Sequence, residues 1–178
     1  MIEFHKKWIT NSCLIIKENC QKINMLDQEI GDGDHGTTIL RGLEEAVSHF
    51  RANNEFDNSI SFMNEISKLM RISMGGASGI LMTIFFKELG NLNLNDLYNS
   101  ILTTFSNTIT KIQTRGKVNF GDKSFLDIFI PIHQELIENN LMDLDKIIKK
   151  IDESLENTKP MEARVGRAKF LDSKGVGV

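Results

Sequence analysis

The chain has 178 residues, 40% hydrophobic and 25% charged, with a formal net charge of -3. That is enough chain for one domain with a real core, and the negative balance argues against a nucleic-acid surface. No apolar run approaches the ~20 residues of a membrane helix, so neither nucleic acid nor membrane is expected as a partner.

The first eight residues carry Glu3, His5, Lys6 and Lys7 before any apolar stretch, so no secretory leader is expected and the location is read as cytoplasmic. Apolar residues then recur with helical spacing. Trp8, Ile9, Leu14, Ile15, Ile23 and Leu26 predict a first helix over 3–27. Cys13 and Cys20 share a face of it. Seven residues of helix hold them ~10 Å apart, too far for a disulfide, so both read as reduced core thiols. A loop rich in glycine and aspartate follows. A second helix is predicted over 36–52, and a third over 59–74 with Ile60, Met63, Ile66, Leu69 and Met70 inward. Gly75-Gly76-Ala77-Ser78-Gly79 breaks the pattern, which resumes over 80–89 as an apolar central helix. Asn95 is placed to cap a helix carrying Leu97 through Ile112. A loop over 115–122 leads to a helix over 123–139 with Pro131 inside it, a potential kink. An amphipathic helix over 144–155 ends near Pro160, and 161–178 is short, basic and glycine-bearing. Strand alternation is missing, so the reading is all-α, one domain over 1–178.

The chemistry concentrates in the first loop. Asp27, Asp32 and Asp34 fall within eight residues, with Gly31, Gly33 and Gly36 between and after them. Carboxylates this close repel unless a cation sits between them, and hard ions such as Mg²⁺ take oxygen ligands from carboxylates and phosphates. Asp34 or Thr37 is placed to cap the second helix, whose free N–H groups would face an anion. An EF-hand is rejected, because the twelfth position counted from Asp32 is Leu43 rather than Glu. A P-loop at 116–124 is rejected too, since Asp122 makes it one residue too long and a helix precedes it. Three glycine-bearing loops, at 31–36, 75–79 and 116–121, each lead into a helix, so converging N-termini are an all-helical route to a phosphate site. Taken singly, the bland readings hold: His5, His49 and His133 as surface or helix residues, Ser78 as a helix cap, and Arg164, Arg167 and Lys169 as a solvated face.

The motifs in one order say more. Asp27 and Ile30-Gly31-Asp32-Gly33-Asp34-His35-Gly36, then Gly75-Gly76-Ala77-Ser78-Gly79, then Arg115-Gly116-Lys117 with Gly121-Asp122-Lys123, then Gly166-Arg167-Ala168, resemble the nucleotide-binding L subunit of bacterial dihydroxyacetone kinases over about 8–178. The resemblance implies an antiparallel barrel of eight helices with the nucleotide at one end. It implies that Asp27, Asp32 and Asp34 hold two Mg²⁺, that His35, Gly36, Thr37, Thr38, Ala77 and Ser78 contact phosphates and nucleotide, and that Gly116, Phe125 and Arg167 line the nucleotide pocket. ADP would be a held cofactor, cycling through ATP. A phosphohistidine on a phosphotransferase-system M subunit would be the donor, and dihydroxyacetone on a separate K subunit the acceptor. No sugar-binding domain precedes the motifs, which favours this relay branch over the ATP-dependent one.

The chain departs from the family pattern at Ile80, where Pro is usual, at Phe125, where Met is common, and at Lys169-Phe170-Leu171-Asp172-Ser173-Lys174, where Ser-Tyr-Leu-Gly-Glu-Arg is usual. The family also runs on beyond the equivalent of Val178 into an Asp-Pro-Gly segment and a last helix, and the sequence leaves open whether this protein has them. Three other readings stay open: a regulatory paralogue that binds nucleotide without turnover, the same relay with another short sugar, and a metal-dependent phosphohydrolase built on the three aspartates.

Overall fold

In the computed structural model, which describes residues 1–53, 55–139 and 143–178 with the side chains of Ala77 and Ser78 set aside, every long element is a helix. In chain order these are α1 (Ile2–Gln28), α2 (His35–Ala52), α3 (Ser59–Met74), α4 (Gly76–Leu89), α5 (Leu97–Gly116), α6 (Leu126–Asn139) and α7 (Leu144–Thr158). Short 3₁₀ turns occupy Leu94–Asp96 and Ala168–Phe170. No strand occurs among the described residues, as the helical spacing requires, and no helix there is long and apolar enough to cross a membrane. The chain divides into two compact units, Met1–Asn95 and Asp96–Val178.

In the first unit the inward stripes of four helices meet. Ile9 of α1, Leu43 and Ala46 of α2, and Phe62, Met63, Ile66 and Met70 of α3 lose nearly all their exposure, and Phe86 of α4 joins them. Apart from Ala46, each such side chain contributes roughly 1.5–3 kcal/mol by leaving water. Trp8 packs on Phe86 at 5.3 Å between ring centroids and on Phe85 at 6.4 Å. The start of α3 is fixed by a reciprocal pair: Asn58 Oδ1 accepts from Ser61 N at 2.9 Å, and Ser61 Oγ accepts from Asn58 N at 3.2 Å.

Several sequence expectations need correction here. Only Gly75 (φ 64°) interrupts the chain between α3 and α4, and the helix restarts at Gly76 rather than at 80. Ile60 points outward rather than inward, being 52% exposed. Asn95 does not cap α5. Its own N–H donates to Asn93 Oδ1, and Asp96 takes the N-cap position without a side-chain cap bond. Cys13 is buried and unbridged as expected, but Cys20 is only half-buried and so is no core thiol.

His5, expected on a helix or at the surface, is on α1 but only 1% exposed. Its Nε2 lies 2.8 Å from Ser59 Oγ, and its ring stacks near Phe62. Burial first, and the nearby N-terminal amine second, push its pKa down to about 4.

The second unit is built on α5, α6 and α7. Its loop over 117–125 is organised by two buried carboxylates. Asp127 accepts from Gly121 N at 2.5 Å and Ser124 N at 2.6 Å, while Asp122 accepts from Asn119 N at 2.7 Å. These bonds, with Lys123 held at φ 57°, delay the start of α6 to Leu126 rather than 123. The last segment is tied to the same loop. Arg164 N donates to the Asp122 carbonyl at 3.1 Å, and the Lys123 ammonium, its pKa lowered by burial, donates to the Gly175 carbonyl. Ala163 N closes on the Lys174 carbonyl at 2.8 Å.

Two outcomes test this packing. The folded pKa of His5 lies below the usual value near 6.5, so the unfolded chain binds its proton first. His5 therefore contributes stability that is complete above pH ~6.5 and is lost as pH falls toward 4, by at most about 3 kcal/mol. Urea unfolding across that window shows the slope, and the His5→Gln variant flattens it. Asp127→Ala leaves two N–H groups without their acceptor and costs about 2–4 kcal/mol. Asp127→Asn, which keeps an acceptor oxygen, loses less in the same assay.

Candidate functional site

Residues Cys20, Asn24 and Asp27 are spaced four and three apart, so they line one face near the end of α1. That face receives the first turn of α2. Asp27 Oδ2 accepts from the backbone N–H of Asp34 at 3.0 Å and of His35 at 3.3 Å. Asn24 Oδ1 accepts from Thr37 N at 3.1 Å, and Asn24 Nδ2 donates to Thr37 Oγ1 at 2.8 Å. Asp34 is the N-cap residue of α2, but its own side chain makes no cap bond; Asp27 and Asn24 of α1 serve instead. The N–H groups of Asp34, His35 and Thr37 at the α2 start are therefore already satisfied within the protein.

The glycines have distinct physical reasons. A Cβ on Gly36 would collide with the Cys20 carbonyl oxygen and come within 2.9 Å of Asn24 Oδ1, so Gly36 is what lets α2 seat on α1. A Cβ on Gly31 would collide with Asp27 Oδ1. The missing side chain leaves room beside Asp27 Oδ1, the oxygen that the Asp34 and His35 N–H groups do not take. Gly33 supplies the turn, at φ 75°.

Carboxylate oxygens of Asp27, Asp32 and Asp34 lie within 4.8 Å of one another; Asp27 is half-buried and the other two are exposed. At ~4 Å, two like charges repel by about 1 kcal/mol in water and about 4 kcal/mol at an effective dielectric of 20. The donor set is all oxygen and anionic, which suits Mg²⁺. The separation slightly exceeds the roughly 4 Å across one octahedral shell, so a small rotation closes it around one ion, or two ions share it. With Gly31 leaving Asp27 Oδ1 open, these residues fit a hard divalent cation. The positive end of the α2 dipole adds a field that favours a phosphate beside it.

The other expected site residues are distributed as follows. His35 is half-buried and Thr37 exposed in the first turn of α2, while Gly36 and Thr38 are buried. Thr38 N donates to the Asp34 carbonyl at 2.8 Å. Ala77 and Ser78 fall in the first turn of α4, and their side chains lie outside the described residues. Gly116, Phe125 and Arg167 belong to the second unit. Gly116 ends α5 before Lys117 turns left-handed at φ 51°. The Phe125 carbonyl accepts from Ile128 and Phe129 N–H to open α6, and its ring lies 6.1 Å from that of Phe129. Arg167 is exposed and precedes the Ala168–Phe170 turn. Sequence reading missed Asn24. The signal was its place three residues before Asp27, on the same helix face.

Gly36→Ala tests the helix seat. Alanine inside a helix is ordinarily favoured over glycine by roughly 0.5–1 kcal/mol, whereas the collision with the Cys20 carbonyl predicts a loss of about 1–3 kcal/mol. Thermal unfolding decides the sign.

Comparison with known proteins sets this geometry in a family. The DAK2 domain model matches residues 29–178. The chain is 31% identical to the ADP-binding subunit DhaL of PEP-dependent dihydroxyacetone kinase 1 from Listeria innocua, over 96% of this chain and 84% of that one. It is 30% identical to the corresponding Escherichia coli subunit, over 96% of this chain and 85% of that one. Among solved structures, the dihydroxyacetone kinase from C. freundii in complex with AMP-PNP and Mg²⁺ superposes with a TM-score of 0.69 at 22% identity, over 86% of this chain. The chain spans only 28% of the length of that larger protein, and at this identity the likeness concerns the fold. With a family model covering most of its length, and with the aspartate loop set at the start of α2, the chain belongs to the DAK2 domain family.

Proposed function

We propose that this chain is the ADP-binding subunit of a cytoplasmic dihydroxyacetone kinase and acts as one nucleotide-carrying domain. In this reading it holds ADP with two Mg²⁺ while a phosphoryl group passes from a phosphohistidine on an M subunit of the phosphotransferase system to dihydroxyacetone on a K subunit. The observation that supports it most is the convergence of Asp27, Asp32 and Asp34 within 4.8 Å at the N-terminus of α2, in a chain 31% identical to a named ADP-binding subunit.

When bound, Mg-ADP supplies the phosphate that receives and passes on the transferred group, with its charge neutralised by the metal. The protein's part is positioning. Asp32 and Asp34 offer exposed carboxylates from a turn that Gly33 permits. Asp27 is oriented by the backbone N–H groups of Asp34 and His35, both of which bond to its Oδ2. His35, Gly36, Thr37 and Thr38 place the positive end of α2 beside the phosphates. Ala77 and Ser78, at the start of α4, are assigned to the same ligand. Gly116, Phe125 and Arg167 are assigned to the nucleotide. The acceptor sugar is chosen by the partner subunit.

Native mass spectrometry before and after chelation is the direct test. The expected species retains ADP and two Mg²⁺ and loses both on chelation, and Asp32→Asn weakens Mg-ADP binding about tenfold or more, because a hard anionic ligand is removed. A chain that neither carries nor takes up Mg-ADP overturns the reading. Bound nucleotide without phosphorylation of dihydroxyacetone, with K subunit and phosphorylated M subunit present, reduces it to the binding role alone.

A further inference from the structure

We infer that Asn24 is a positioning residue that turns the Thr37 hydroxyl into a donor for the bound phosphate. The inference rests on the nucleotide-carrying reading and adds to it a residue outside the aspartate loop.

The argument follows from which groups can donate. A backbone N–H only donates, so the Asn24 atom 3.1 Å from Thr37 N must be the carboxamide oxygen. The atom 2.8 Å from Thr37 Oγ1 is then the amide nitrogen, which also only donates. This settles the orientation of the Asn24 carboxamide without observing a hydrogen. It also settles the state of the Thr37 hydroxyl: its oxygen accepts from Asn24, so its own proton must point elsewhere. Cys20 Sγ, at 3.8 Å from Oγ1, is a weak alternative acceptor. An anionic oxygen in front of the exposed Thr37 side chain is a far stronger one. Asn24 thus does two things with one side chain. It caps Thr37 N–H, which holds the helix, and it aims the Thr37 O–H, which serves the ligand.

Asn24→Asp separates the two. It keeps an acceptor for Thr37 N–H, so thermal stability stays within about 3 °C. It replaces the amide donor with an acceptor, so the Thr37 proton turns inward to the introduced carboxylate and is withdrawn from the phosphate. The added charge alone would also repel phosphate, and a mutant cycle with Thr37→Val removes that ambiguity. Calorimetric titration with Mg-ADP is expected to show wild-type affinity retained by Thr37→Ser and about tenfold weaker binding for Asn24→Asp and for Thr37→Val. The double variant should bind no more weakly than Thr37→Val alone. Wild-type affinity in Asn24→Asp overturns the inference, and so does an Asn24→Asp loss equally large in the Thr37→Val background. A wild-type chain that takes no Mg-ADP overturns the functional reading and this inference together.

Discussion

The attachment of the α2 N-terminus to the side of α1 is the interaction on which the rest of the candidate site depends. Asp27 and Asn24 take up N–H groups that a helix start leaves without intrahelical partners. The usual solution is a cap from the residue just before the helix. Here the caps come from a different helix, so one set of hydrogen bonds starts α2 and fixes the loop between it and α1. The acidic cluster inherits its geometry from that arrangement. Asp27 is oriented because it is a cap, and its leftover oxygen is available because Gly31 has no side chain.

The second unit uses aspartate differently, and the contrast clarifies what makes a carboxylate a candidate ligand. Asp122 and Asp127 are both buried, and each gathers N–H groups of its own loop. Asp127 spends both oxygens on backbone donors. The Asp27, Asp32 and Asp34 set has acid groups at similar density in sequence, but two of its three side chains are exposed. Burial and bonds to backbone donors make one aspartate pair structural. Exposure and convergence leave the other able to take a cation.

Much of this was legible in the residues themselves. Helical spacing located the long elements to within a few positions, because amphipathic stripes report burial directly. The aspartate loop was legible because its spacing is dense and glycines punctuate it. What escaped were the places where a side chain from a distant element overrides local preference. The delayed start of α6 is set by Asp127 pulling back the loop before it, and the restart of α4 at Gly76 follows a turn made by two glycines of positive φ, Gly75 and Gly76, rather than by five weak helix formers. The burial of His5 escaped because a lone polar residue gives no sign that Ser59, 54 positions later, will satisfy it. Asn24 escaped because its partner lies across a loop, and Cys20 because spacing fixes a helix face but not how deep that face is buried.

The loop between α1 and α2 is pinned at both ends by the same carboxylate: Asp27 lies within α1, and the N–H groups it accepts are those of Asp34 and His35. Its length is therefore a fixed quantity rather than a tolerated range. Surface connections ordinarily accept insertions at small entropic cost. In this one, a single added residue would either break the Asp27 bonds to Asp34 and His35 or carry Asp32 off its present path beside Asp27. Length variation among related chains should then collect in other connections, and a graft or epitope intended to leave the acidic cluster undisturbed belongs there as well.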